Sequence, residues 1–385
     1  MRSLVHLVAV WYEVKPIEAK LGLIKPDVKR VFSPAKRVWV ERSTEGSNPS
    51  LSAIFYGLCS LLILFGSTGH LLNTMLELLK TFSMAGRLLV KRPAAAAIDI
   101  TSRCNLRCRH CYWWKQDHPK ELDDDEIVAL FEDVRSQGMR VAILYGGEPT
   151  LRPKVCEAAA RIFDSVLIFT NGTLGLFALG RRAQWIVSLD GPRRINDEIR
   201  GNGTYDKAVR SIMEASRPPI VHITISRLNE AFVEDFVEDM LALPIKGIGF
   251  SFFTPNRGEE HNEYLIPLQE REHIIKRLLS LRRRFGEQVG FTEAIARQLR
   301  VDGDYLSWNS YERCPVSRGL KCFRSDGTVK LCTYGDDADC ARCGCAAVSA
   351  FRGAFHPPNY ESIRVVFGLL LPGFIPRAKK GNGAK

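Results

Sequence analysis

The run IDITSRCNLRCRHC at residues 98–111 sets the reading of the chain. Ile98-Asp99-Ile100-Thr101 predicts a strand, and the polar, cysteine-bearing segment behind it predicts a loop. Leu122 to Arg140 predicts a helix: Ile127, Leu130, Phe131 and Val134 share one face, and Asp123, Asp124 and Asp125 fill the first turn, where negative charge suits the helix dipole. Val141-Ala142-Ile143-Leu144-Tyr145 predicts a second strand, stopped by Gly146-Gly147.

This strand–helix–strand unit repeats along the chain. A helix at Lys154–Phe163 leads to a strand at Val166–Phe169. A further short helix precedes a strand at Trp185–Leu189, and a helix at Tyr205–Ser216 precedes one at Ile220–Ile225. A helix at Ala231–Leu243, a strand at Ile245–Phe253 and a long basic helix at Leu265–Phe285 complete the series. Near-continuous apolar strands between amphipathic helices imply a parallel sheet of the α/β class. A full eight-unit barrel needs roughly 250 residues, and these six units occupy about 190. The expected fold is therefore a partial (β/α)6 TIM-type barrel, with its active site at the C-terminal ends of the strands.

Composition fits that reading. The 385 residues are 45% hydrophobic and 25% charged, enough for one large domain or two ordinary ones. The 30 Gly and 19 Pro follow no fixed period, which excludes a fibrous repeat. The net charge of +11 is spread without a long Lys/Arg block, so it reads as a solvated surface. Beyond Trp113-Trp114-Lys115 the sequence offers no basic surface interleaved with aromatics, which disfavours nucleic acid as a partner. The 11 cysteines are an odd number in uneven groups. Without a secretory signal such groups point to metal rather than disulfides, and to a reducing compartment, the cytoplasm.

Residues 1–74 share neither the period nor the chemistry of the rest. Glu45 to Ser50 back-translates as GAG GGT TCG AAT CCC TCC, which resembles the T-arm of a transfer RNA gene. The expectation is a gene start assigned too early, with translation beginning at Met75 or Met84. The alternative is a membrane anchor at Leu51–Gly66, although these 16 residues are short of the roughly 20 that a span needs. Residues 75–93 predict an amphipathic helix closed by Pro93, residues 94–304 the barrel, residues 305–350 a cysteine-rich subdomain, and residues 351–385 an apolar then basic tail. The apolar parts leave peripheral membrane contact open.

Cys104, Cys108 and Cys111 place three thiolates within eight residues, enough to converge on one centre. A cubane iron–sulfur cluster takes four ligands, so three would leave one iron open. A zinc ion on the three cysteines plus His110 or His118 is the other reading of the spacing. The CxxxCxxC pattern after a first strand resembles the radical S-adenosylmethionine (SAM) superfamily. The resemblance continues through Gly146-Gly147-Glu148-Pro149-Thr150 after strand two, Thr170-Asn171-Gly172-Thr173 after strand three, Ser188-Leu189-Asp190-Gly191-Pro192 after strand four, and Ile199-Arg200-Gly201.

The resemblance implies a 4Fe-4S cluster on Cys104, Cys108 and Cys111. Its reduction of SAM would release methionine and a 5′-deoxyadenosyl radical that abstracts hydrogen from a peptide, small-molecule or lipid substrate. It also implies a one-electron donor such as flavodoxin or ferredoxin. SAM contacts fall to Gly146 and Gly147 by close backbone approach, Glu148 at the ammonium, Arg200 at the carboxylate, Ser188 and Asp190 at the ribose, and Thr170 and Asn171 beside the sulfonium. His222 reads as a packed strand residue. The rival reading is a non-catalytic iron–sulfur or zinc protein in electron transfer or scaffolding, which would need neither the glycine and aspartate motifs nor Arg200.

A second group comprises Cys314, Cys322, Cys332, Cys340, Cys343 and Cys345 around a hairpin turn at Asp326-Gly327. It resembles SPASM/twitch extensions, which carry auxiliary 4Fe-4S clusters, although Cys340-x2-Cys343-x-Cys345 departs from the usual SPASM spacing. Cys332, Cys340, Cys343 and Cys345 form the favoured ligand set, with Cys314 and Cys322 as alternates. Two incompletely ligated clusters, or a four-cysteine zinc site, fit the same count.

Overall fold

The computed structural model describes residues 93–370 apart from 117, 119 and 356. The readings of residues 1–74, most of the helix at 75–93 and the tail beyond 370 lie outside the described residues.

The chain builds strand β1 (Ala95–Asp99), helix α1 (Asp124–Ser136), β2 (Val141–Tyr145), α2 (Pro153–Ile162), β3 (Ser165–Thr170) and β4 (Ala183–Ser188). It continues with α3 (Arg193–Arg200), α4 (Thr204–Glu214), β5 (Ile220–Ile225), α5 (Val233–Leu241), β6 (Gly247–Phe252) and α6 (Arg271–Phe285). The remainder comprises α7 (Glu293–Leu299), α8 (Pro315–Gly319), β7 (Leu320–Phe323), β8 (Val329–Lys330), α9 (Ala346–Phe355) and α10 (Tyr360–Leu370). One sheet runs β6-β5-β4-β3-β2-β1-β7-β8. Strands β1 to β6 pair in parallel and in chain order, giving the expected partial barrel.

Local chemistry explains the element ends. Helix α1 opens on a capping box: Asp123 accepts from the Asp125 and Glu126 amides, and Glu126 accepts from the Asp123 amide. Helix α6 starts at Arg271, six residues after the expected Leu265, because Pro267 disfavours helical backbone in the residue before it.

The expected short helix between β3 and β4 is absent. Thr170 Oγ1 takes the Gly172 amide at 3.0 Å and Asn171 Oδ1 takes the Thr173 amide at 2.9 Å. These local bonds turn the chain into a loop, whose Leu176, Phe177 and Leu179 still pack on the core.

Strand alternation divides the sheet into two faces. Ala96, Ile98, Ala142, Leu144, Val166 and Ile168 face α1 and α2. Ala97, Ile143, Leu167, Ile186 and Ile220 face the other way, and Tyr305, Trp308 and Val348 from the C-terminal part of the chain fill that inner face. Each such large apolar side chain contributes about 1.5–3 kcal/mol by burial.

Strand β7 pairs in parallel with β1, setting Cys322 opposite Ala97, and β8 returns antiparallel. The cysteine-rich hairpin thus extends the barrel sheet at its β1 edge. Among the described residues no helix is long and apolar enough to cross a membrane.

Candidate active site

Cys104, Cys108 and Cys111 occupy the loop after β1, and contacts from three other strand ends hold that loop. The Gly147 amide donates to Thr101 O at 2.8 Å and the Glu148 amide to Arg103 O at 2.8 Å. A Cβ on Gly147 would stand 2.0 Å from Arg103 O, so only glycine allows this approach. Gly146 sits at φ +117°, and a Cβ there would stand 2.4 Å from Thr101 O. The two glycines therefore seat the cysteine loop.

Glu148 is 1% exposed. Its Oε1 accepts from the Thr150 amide, Thr150 Oγ1 and Thr170 Oγ1, and its Oε2 from the Asn171 amide at 2.8 Å. Four donors from the chain itself surround the carboxylate, which ties the end of β2 to the end of β3. Asn171 reaches the cysteine loop through Asn105, with Nδ2 donating to Asn105 Oδ1 at 2.9 Å, and Asn105 Nδ2 donates to Thr173 Oγ1 at 2.9 Å. The role of Asn105 was not read from the sequence, although it lies inside the cysteine motif.

Arg200 and Asp190 close the third side. Arg200 ends α3, an element the sequence reading did not place, and its Nε stands 2.7 Å from Asp190 Oδ2. Arg200 O lies 3.9 Å from Cys108 Sγ, and Ile199 O accepts the Arg109 amide at 2.9 Å. Asp190 also receives the Thr224 amide at 3.0 Å and faces His110 Nε2 at 3.4 Å. Burial alone would raise the Asp190 carboxyl, but Arg200 and His110 outweigh it and hold the group below the usual carboxylate range. Burial likewise opposes the charge on Arg200, and Asp190 restores it, raising the guanidinium above its ordinary value. Ser188, at the end of β4, stands in register with His222. His222 is packed as expected, with Nε2 3.0 Å from Ser251 Oγ, and burial lowers its pKa to about 4.

Three buried polar atoms here lack an aligned hydrogen-bond partner: Asp190 Oδ2, Arg200 Nε and His110 Nδ1. The 2.7 Å contact between the first two is close but not directed. Such orphans beside three thiols fit a polar, charged ligand. The histidines of the zinc reading are turned elsewhere: His110 faces Asp190, and His118 lies against Trp113 with Nε2 2.7 Å from Trp113 O. Burial raises all three thiols, Cys111 to about 12, so loading a metal centre must displace their protons.

Residues 98–285 match the family model of the radical SAM superfamily. Over that stretch the chain is similar to radical SAM proteins. Fe-coproporphyrin III synthase of Methanosarcina barkeri is 30% identical over 224 residues, covering 54% of this chain and 56% of that protein. Pre-heme d1 synthase of Dinoroseobacter shibae is 29% identical, covering 36% of this chain and 38% of that protein. The sporulation killing factor maturation protein SkfB of Bacillus subtilis is 28% identical, covering 38% and 39%. The matches thus span from 38% to 56% of these relatives' lengths. Streptococcus suis SuiB bound to precursor peptide SuiA superposes with a TM-score of 0.51 at 13% identity, over 78% of this chain and 76% of that one, which shows a shared fold.

Part of the second cysteine group lies at the inner face. Cys314, Cys322, Cys343 and Cys345 join the core there. The Gly344 amide donates to Thr254 Oγ1 at 2.9 Å, and Gly344 O accepts the Phe252 amide at 2.9 Å, which fixes Cys343 and Cys345 at the end of β6. The Cys345 amide points at Cys343 Sγ at 3.4 Å, and Cys332 Sγ faces Gly335 O at 3.4 Å. Burial raises Cys345 to about 12 and Cys340 to about 11, with neighbouring cysteines adding to the effect. Every cysteine among the described residues is a free thiol. Among the described residues no three His, Cys, Asp or Glu side chains are gathered tightly enough to hold a single metal ion.

Proposed function

We propose that this protein is a radical SAM enzyme that binds a 4Fe-4S cluster through Cys104, Cys108 and Cys111, cleaves SAM reductively and takes hydrogen from an organic substrate. The observation that carries the reading is the juxtaposition of the three thiols with the buried Asp190–Arg200 pair and its undirected polar atoms. The chemistry such a cluster supplies when bound is one-electron reduction of the SAM sulfonium, with a 5′-deoxyadenosyl radical as the agent of hydrogen abstraction.

The chain's own residues bind and orient. Gly146 and Gly147 fix the cysteine loop on the ends of β1 and β2. Glu148 holds Thr170 and the Asn171 backbone, and Asn171 with Asn105 braces the loop from the β3 side. Arg200 offers its fork to the methionine carboxylate while Asp190 orients it, and Ser188 faces a ribose hydroxyl. Electrons enter from a donor of the flavodoxin or ferredoxin kind. The second cysteine group, with Cys332, Cys340, Cys343 and Cys345 as ligands and Cys314 and Cys322 as alternates, holds an auxiliary centre of the SPASM/twitch kind. The substrate is a peptide, small molecule or lipid; the similar proteins include Fe-coproporphyrin III synthase, pre-heme d1 synthase and a sporulation killing factor maturation protein. The setting is a reducing compartment.

The test is anaerobic reconstitution followed by incubation with dithionite and SAM. The wild type should form 5′-deoxyadenosine, and Cys104→Ala/Cys108→Ala/Cys111→Ala should not. Turnover that persists in the triple variant overturns the assignment.

A further inference from the structure

Arg271, the first residue of α6, has no exposed surface. Nη1 donates to Cys343 O at 3.0 Å and Nη2 to Arg342 O at 3.0 Å. The guanidinium carbon sits 5.0 Å from the centre of the Phe252 ring and 6.0 Å from that of Tyr305. Its Nε has no hydrogen-bond partner. Among the described residues no carboxylate forms an ion pair with it. Arg342 on the neighbouring turn differs, since Asp339 lies 2.5 Å from its Nη1.

A buried charge without an opposite charge is strongly unfavourable, and arginine does not escape by losing its proton. Burial pushes against the charged form, with Tyr305 and Cys343 acting in the opposite sense. The second cysteine group is the anion source that the geometry offers. Neutral thiols supply no such charge. Four thiolates on an iron–sulfur core do, because together they outweigh the positive charge of the core they enclose.

We propose that Arg271 is the built-in counter-charge of an anionic metal–thiolate centre at Cys314–Cys345. The inference rests on the reading that this cysteine group binds metal. Loading then balances the interior charge, so metal retention and Arg271 support each other. Where the centre is redox-active, the cation favours its more reduced, more negative state and raises its reduction potential.

The experiment uses the full chain in the Cys104→Ala/Cys108→Ala/Cys111→Ala background, which isolates the second centre. Wild-type Arg271, Arg271→Met and Arg271→Lys are compared, each metal-loaded anaerobically and each stripped with a chelator. Thermal unfolding, metal released to chelator over time and, for an iron centre, the midpoint potential are read. Stripped Arg271→Met should be at least as stable as the parent, and the loaded variant should be less stable than its parent. Metal loss should be tenfold faster or more, and an iron centre's potential should fall. Arg271→Lys should recover most of the loaded stability and potential. Equal destabilisation of both forms by Arg271→Met makes Arg271 a packing residue and overturns it. A background protein that takes up no metal fails the underlying reading instead, and the proposal with it.

Discussion

Lys330 Nζ stands 2.6 Å from Asp99 Oδ2, with both side chains almost wholly buried. The contact joins β8 of the cysteine-rich hairpin to β1, the strand that launches the Cys104 loop. Lys330 also donates to Thr333 O at 3.1 Å, while Asp99 Oδ1 has no partner. Burial raises the Asp99 carboxyl and Lys330 pulls it back. Removing one member strands the other charge, at a cost of about 3–5 kcal/mol. Lys330→Met should therefore destabilise the chain by that amount in chemical denaturation, and Lys330→Met/Asp99→Asn should recover most of it. Additive losses in the double variant would show that the two residues act separately.

Gly147→Ala addresses the seat of the cysteine loop. The added methyl would meet Arg103 O at 2.0 Å and Arg103 C at 2.5 Å, both backbone atoms that cannot rotate away. Overpacking of this kind costs about 1–3 kcal/mol. Because the displaced atoms lead straight into Cys104, iron bound at the first cysteine group should fall sharply. Iron at the second group should be retained, and iron analysis of Gly147→Ala against Cys104→Ala/Cys108→Ala/Cys111→Ala separates the two. Full loading at the first group would mean the loop tolerates a shift.

The legible and illegible parts of this chain differ in a physical way. Strands β1 to β6 were legible because each is a short apolar run buried on both faces, and the motif residues follow at their ends. Helix α3 was not, because among Arg193–Arg200 only Ile195 and Ile199 supply an apolar period. The loop after β3 was misread because hydrogen bonds from Thr170 and Asn171 override its helical spacing. The β1–β7 pairing joins residues more than 200 positions apart, Ala97 and Cys322, and no local signal announces it. Arg271 was hidden for the opposite reason. It sits in a helix whose basic residues read as solvated, and only the packed structure shows one of them enclosed.

Arg200→Ala should weaken SAM binding by about tenfold or more, the equivalent of losing a charge-assisted hydrogen bond worth roughly 1.5–3 kcal/mol. The buried pairing with Asp190 adds a second effect, since the variant leaves that carboxylate uncompensated and should also lower stability. Arg200→Ala/Asp190→Asn separates the two. Stability should return while SAM affinity, read by equilibrium binding, stays weak. Unchanged affinity in either variant would confine Arg200 to a structural ion pair.

Acid should loosen the same corner of the site in a predictable direction. Asp190 is held below its ordinary value of 3.8 in the folded chain, with burial opposing and Arg200 and His110 prevailing. As pH falls through 3.8 the unfolded chain takes up a proton at this position that the folded chain still refuses. The unfolded state then binds more protons, so stability declines as pH drops. The contribution is fully present above that ordinary value and is lost as pH passes the lower, folded one. Asp190→Asn removes the titrating group. Its unfolding free energy should fall less steeply than the wild type's over the window below 3.8. Denaturant titrations at several acidic pH values check this, and parallel slopes for the two proteins would show that Asp190 is not held ionised by its neighbours.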